Sequence, residues 1–108
     1  MELSFDSKTL RTLCEDSDKA EIKFGLDVAR ALRTRLADMR AVACVKDLPG
    51  LGKPSETKGN PHPHYKIDLP EGYQITFCSN HLDTPMNGEK INWSKVSRIK
   101  ILKIDSNE

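Results

Sequence analysis

The chain has 108 residues, 37% of them apolar and 31% charged, with 17 basic and 16 acidic side chains for a net charge of +1. That length fits a single domain over residues 1–108 with one modest core. A balance so near neutrality excludes a global attraction to nucleic acid or anionic membranes, so any such surface must come from local clustering.

No apolar run approaches the roughly 18 residues that would span a bilayer. The opening Met1-Glu2-Leu3-Ser4-Phe5-Asp6 lacks the basic region and apolar stretch of a secretory signal, so a cytoplasmic chain without membrane contact is expected. Cys14, Cys44 and Cys78 are odd in number and show no C-x-x-C spacing. In that compartment their simplest role is as small core residues.

Leu3-Ser4-Phe5 alternates and is short, which predicts an edge strand. Asp6-Ser7 offers an N-cap for a helix of one or two turns carrying Leu10, Leu13 and Cys14. A second start follows at Asp16-Ser17-Asp18, where negative charge suits the positive end of a helix dipole. From there to about Ala43 the residues Ile22, Leu26, Ala29, Leu32, Leu36 and Met39 recur at helical spacing. One continuous helix is expected, with Gly25 a weak point inside it. Lys19, Lys23, Arg30, Arg33 and Arg40 form an adjacent basic stripe, either a solvated face or a surface for an acidic partner or phosphates.

Asp47-Leu48-Pro49-Gly50-Leu51-Gly52 is a turn cluster, and a loop rich in Gly, Pro, Ser and Asn is expected to continue to Pro63. Tyr65-Lys66-Ile67-Asp68-Leu69 and Tyr73-Gln74-Ile75-Thr76-Phe77 alternate on either side of a Pro70-Glu71-Gly72 turn, which predicts a hairpin. Residues 80–92 are a polar excursion containing Asn87-Gly88. Residues 97–104 form a last strand whose alternation slips at Ile101-Leu102, where a bulge is expected.

Two groups of residues carry potential chemistry. His62 and His64 flank Pro63 beside Lys58, Tyr65 and Lys66, and histidine is the usual proton carrier near neutral pH. Together with Cys78-x-x-His81 they supply four possible metal donors, but the spacing fits no standard structural zinc pattern, and no metal or cofactor is expected. His81 is expected to be a surface loop residue with no special role. The second group is Lys95, Arg98, Lys100 and Lys103, where Arg98 and Lys100 should share one side of the last strand. With Lys58 and Lys66 on that side the sheet would offer a positive surface to RNA phosphates, with Tyr65, Tyr73 or Trp93 to stack on bases. The alternative is that these lysines only guard a sheet edge.

Four segments, in order, resemble the HigB-like toxins of the RelE/ParE superfamily, also labelled plasmid maintenance system killer proteins. They are Leu36-Ala37-Asp38-Met39-Arg40-Ala41 with Asp47-Leu48-Pro49-Gly50; Lys58-Gly59-Asn60; the Tyr65–Leu69 and Gly72–Phe77 hairpin; and Ile91-Asn92-Trp93-Ser94-Lys95-Val96 leading to Arg98-Ile99-Lys100-Ile101 and Ile104-Asp105. The resemblance implies an α+β, RelE-like fold, a small antiparallel sheet packed against two N-terminal helices in the order β-α-α-β-β-β. It implies a type II toxin that cleaves mRNA on the ribosome and is held by a HigA-type antitoxin in a toxin–antitoxin hetero-oligomer. Such an endoribonuclease uses the RNA 2′-hydroxyl as nucleophile and needs a base, cations at the phosphate and an acid for the departing oxygen.

Carried onto this chain, the resemblance makes Lys58 the cation at the phosphate and Asp105 the acidic residue of the family's ending, with Asn107 at its histidine position. His62 or His64 would supply the missing base if the loop folds over the sheet, and from the basic cluster Lys66, Tyr65, Lys95, Arg98 and Lys100 are the candidate RNA contacts. Ser106 and Asn107 stand where the family's ending has tyrosine and histidine, Ser55 stands at its frequent upstream histidine, and Gln74 replaces the hairpin arginine. These replacements leave open an alternative without catalysis, either ParE-like inhibition of a target by binding or an inactive relative that acts through its antitoxin complex.

Overall fold

In the computed structural model, which describes residues 1–106, both helix-start signals act where the sequence places them. Ser7 caps α1 (Lys8–Glu15), its hydroxyl accepting from Leu10 N at 3.1 Å. Asp16 caps α2 (Ser17–Phe24), its carboxylate accepting from Asp18 N at 3.0 Å and Lys19 N at 3.2 Å. Each cap satisfies amide donors that a helix start otherwise leaves orphaned.

The continuous second helix is corrected. Gly25 adopts φ +90°, open to glycine and strained for other residues, and it separates α2 from α3 (Leu26–Ala41). The break resets the apolar phase. Ile22 is 87% exposed, whereas Phe24 and Val28 turn inward with Ala29, Leu32, Leu36 and Met39. Among the described residues three α-helices therefore lie between the first strand and the remaining strands, instead of two.

The main sheet has five strands: β1 (Glu2–Phe5), β2 (Ser55–Thr57), β3 (His64–Asp68), β4 (Tyr73–Ser79) and β7 (Arg98–Ser106), in the spatial order β1-β7-β4-β3-β2. Strand β1 lies parallel to β7 at one edge, and the other pairings are antiparallel. The expected hairpin is present, with Ile67 opposite Ile75 and Tyr65 opposite Phe77. Strand β2 lies inside the segment expected to be loop, pairing Ser55 with Lys66 and Thr57 with His64. It is only three residues long and polar, so no alternation announces it. The polar excursion contains a small ribbon, β5 (Met86–Asn87) with β6 (Lys90–Ile91), closed by Gly88 at φ +69°.

The expected bulge forms at Leu102. Thr76 pairs with Lys103 but Phe77 with Ile101, so Leu102 is the extra residue on β7. It allows Ile99, Ile101 and Ile104 to reach one face despite their uneven spacing. That face meets α3 in the core, where Val28, Leu32, Met39, Ile75, Phe77, Ile99 and Ile101 are each at most 1% exposed. Each such burial contributes roughly 1.5–3 kcal/mol against conformational entropy. The helices thus cover one face of the sheet and leave the other open.

Candidate functional site

Strand alternation assigns the open face. Starting from β2, it carries Ser55 and Thr57, then His64, Lys66 and Asp68, then Gln74, Thr76 and Cys78. Arg98, Lys100, Lys103 and Asp105 follow on β7, and Glu2 and Ser4 on β1. Arg98 and Lys100 share a side, but the positive surface expected of them does not form. Lys66 pairs with Asp68 at 3.2 Å and Lys103 with Asp105 at 3.4 Å. Arg98 meets Glu2 at 3.2 Å, and Lys100 meets Asp6 at 3.9 Å. Half-exposed pairs of this kind add about 0–1 kcal/mol each to stability. Their larger consequence is that every cation on the face has a carboxylate within 4 Å. Beyond a Debye length of roughly 8 Å such pairs cancel, so the face holds little long-range pull on phosphates.

Nor does the open face supply aromatic platforms. Tyr65 and Tyr73 alternate onto the helix side. Tyr65 packs against Phe77 at 5.6 Å and edge-on to Trp93 at 4.8 Å, and Tyr73 meets Phe24 at 5.3 Å. Trp93 is buried. Alternation thus puts Tyr65 on the helix side, half-buried against the core, and not on the open face where it was expected to stack on a base. Lys95 is exposed but lies in the short 3-10 turn Trp93–Lys95, off the sheet.

At the β2–β3 connection the side chains are differently disposed. His64 is half-buried opposite Thr57, and its ring lies directly against Gly59: a Cβ on Gly59 would fall 2.5 Å from Nε2 of His64. Lys58 sits between those two neighbours of His64, roughly 6 Å away along the backbone by antiparallel pairing geometry. Among the described residues, Lys58, His62 and His64 have no hydrogen-bond or ion-pair partner from their side chains. Two clefts flank this connection. One, of about 440 Å³, is lined by His62, His64, Cys78 and Asp83. The other, of about 430 Å³, is lined by Lys58, Glu56, Glu89 and Lys90. Pro63 lines both and forms the rib between them. The sequence reading missed Lys90, although Asn87-Gly88 is a hairpin signal that would have put it on a ribbon.

Asp105 is remote from this end. It pairs with Gln74, which pairs in turn with Asp68, four residues along β3 from His64. Four residues of strand and two strand spacings amount to roughly 16 Å. Asp105 also binds Lys103, while its Oδ1 is buried without a partner. His64 and Asp105 are thus not brought to one phosphate, and Asn107 lies outside the described residues.

His81 has a definite structural role, contrary to expectation. Its Nε2 accepts from Ser97 N at 3.0 Å and Arg98 N at 3.3 Å, pinning the polar excursion to the start of β7. This acceptor role requires the neutral ring with its proton on Nδ1. Burial pushes the Cys78 thiol upward, with Lys100 opposing and Asp6 adding to the effect, so the cleft holds a neutral thiol and not a nucleophilic thiolate. Among the described residues no three of the His, Cys, Asp and Glu side chains are grouped to hold a metal ion. No described helix is long and apolar enough to cross a membrane. No protein-family model, curated protein or solved structure matches the chain.

Proposed function

We propose that this chain is a toxin of the RelE/ParE type, in its HigB-like branch, and that it cleaves ribosome-bound mRNA from the β2–β3 end of its sheet. Its partners are the ribosome, the mRNA and a HigA-type antitoxin with which it forms a hetero-oligomer. The observation that carries this reading is that Lys58, His62 and His64, all without side-chain partners among the described residues, lie on the one β2–β3 connection, the histidines in one flanking cleft and Lys58 in the other, beside a sheet face whose cations are all paired. Support also comes from where the four resembling segments fall: on the end of α3 and the following turn, on the β2–β3 connection, on the β3–β4 hairpin, and on β7 with the residues before it.

In this reading His64 takes the proton of the 2′-hydroxyl as its oxygen bonds to phosphorus. The ammonium of Lys58 meets the charge that accumulates on the phosphate oxygens. His62 returns a proton to the 5′ oxygen as the P–O5′ bond breaks. Acid–base help of this kind is worth about 10²–10⁴-fold, and a well-placed charge donor contributes on a similar scale. Asp105 has no part in the reaction and serves the ion-pair lattice.

A specific observation favours a second reading. The roughly 16 Å between His64 and Asp105, with the charge-balanced face, suits a toxin that inhibits by occupying its target. Induction of the chain in bacterial cells, with growth followed and mRNA 5′ ends mapped, separates the two. Arrest with new ends inside translated codons supports cleavage. Arrest without new ends selects inhibition by binding, and unimpaired growth rejects both.

A further inference from the structure

All three histidines of the chain line one cleft, the space of about 440 Å³ beside the β2–β3 connection. His62 reaches it from that connection, His64 from β3 and Cys78 from β4, while His81 and Asp83 come from the polar excursion that leads to β7. Of the three, His81 ties two parts of the fold together, its Nε2 accepting from the Ser97 and Arg98 amides. Just before it, Asn80 N donates to Arg98 O at 2.9 Å. Beyond it, among the described residues, the hydrogen bonds of residues 82–90 stay within the excursion, apart from one between the hydroxyls of Thr84 and Ser79. The imidazole is therefore the last hydrogen-bonded tie to β7 before Ile91 and Trp93 enter the core.

We infer that this imidazole is a pH-sensitive latch: a proton on His81 releases residues 81–90 from β7 and opens both clefts that flank the β2–β3 connection. An imidazolium donates from both ring nitrogens, so a turned ring accepts from the two amides no better than an unturned one. Donors that face a donor lose their hydrogen bonds and must separate to find water. Histidine is the side chain whose ordinary titration falls between about pH 5 and 8. Burial pushes the Cys78 thiol upward, away from that range. Arg98 stays charged and holds its guanidinium on Glu2 of β1 at 3.2 Å. His62 and His64 are the rival titrating groups, but they have no hydrogen bond of their own to give up among the described residues. Their protonation adds like charge to the same cleft, where Asp83 is the one acid, and so favours the same opening. The excursion supplies Asp83, Thr84 and Met86 to one cleft and Glu89 and Lys90 to the other, so its release alters both together. The latch thus holds above the histidine range and opens below it. It stands apart from RNA cleavage, because it needs only the folded chain.

The test is an NMR titration of the whole chain from about pH 8 to about pH 5, spanning the histidine range. It follows the Ser97 and Arg98 amide protons and the ring of each histidine. Both amides should move upfield with the midpoint of the His81 ring. Their protection against exchange, corrected for the intrinsic rate at each pH, should fall about tenfold, as the loss of one or two hydrogen bonds warrants. Resonances of α3 and of the middle of β4 should stay in place, which separates release from unfolding. His81→Ala should fix the two amides in the released state across the range. His81→Gln, whose carbonyl accepts without titrating, should fix them in the held one. Amides that stay put while the His81 ring titrates would overturn the inference. So would amides that follow His62 or His64 in place of His81, or a transition that persists in either variant.

Discussion

Replacing Gly59 with alanine isolates the packing that holds His64 at the proposed site. Gly59 does not occupy the left-handed region, so the backbone accepts alanine without strain. The obstacle is the imidazole. A Cβ would lie 2.5 Å from Nε2 and nearer still to Cγ and Cδ2, where ordinary contacts begin at 3.4 Å. The ring must retreat by about 1 Å or leave its rotamer, a cost of about 1–3 kcal/mol for overpacking. Offsetting this, alanine restricts the unfolded chain and returns about 0.4–1 kcal/mol. Gly59→Ala should therefore destabilise the protein by about 1 kcal/mol. In a His64→Ala background the obstacle is gone, and the same change should be neutral or stabilising. Urea unfolding of the wild type, both single variants and the double variant yields a coupling energy of about 1 kcal/mol or more if the contact is real. An equal cost in both backgrounds would refute the packing of His64 on Gly59.

Gly52 presents a harder case, with φ +84° and a Cβ position 2.6 Å from Ile67 Cγ2 and 2.9 Å from the carbonyl oxygen of Asp68. Backbone cannot yield as a ring can, so Gly52→Ala should cost about 3 kcal/mol or more in thermal or urea unfolding; a loss under about 1 kcal/mol would contradict the close approach of this turn to β3. His81→Ala removes the acceptor for two amides and should cost about 1–2 kcal/mol. Hydrogen exchange at Ser97 and Arg98 should quicken selectively, and unchanged exchange there would dismiss the pin. Burial pushes the Cys14 thiol up to about 11 from 9.0, against the opposing pull of Arg40. Below pH 9 the thiol is protonated in both folded and unfolded chains. Between pH 9 and 11 only the unfolded chain ionises, so stability falls as pH rises. Cys14→Ala should remove that part of the alkaline decline, and identical pH profiles for the two proteins would count against it.

What the sequence disclosed follows from which elements carry strong local signals. The side-chain caps at Ser7 and Asp16, the β3–β4 hairpin and the slip at Leu102 were legible, because capping, alternation and its interruption are properties of neighbouring residues. The break at Gly25 was not. Its helical period runs on through the sequence, and only the φ of one glycine changes which residues turn inward. Strand β2 was hidden because three polar residues become a strand only by pairing with β3. For the site, the nearness of Lys58 and His64 in the sequence showed that both belong to one connection, but not that the pairing of Thr57 with His64 turns them toward different clefts. The pairing of Lys66, Arg98, Lys100 and Lys103 with acids was invisible in part because Glu2 and Asp6 reach the last strand only through the parallel edge pairing. The inward turn of Tyr65 could have been read, since it shares the parity of Ile67 on a strand whose apolar side is buried.

The most direct test of the central claim is to map mRNA 5′ ends after induction of the wild type and of the single variants Lys58→Ala, His64→Ala and Asp105→Asn, at matched protein levels. With the chemistry at the β2–β3 end, the wild type and Asp105→Asn should generate new ends inside translated codons, while Lys58→Ala and His64→Ala lose them by 10²-fold or more, on the order expected for acid–base and charge-stabilising groups. Loss of cleavage in Asp105→Asn with full cleavage in Lys58→Ala and His64→Ala would contradict the account and move the active surface to the other end of the sheet.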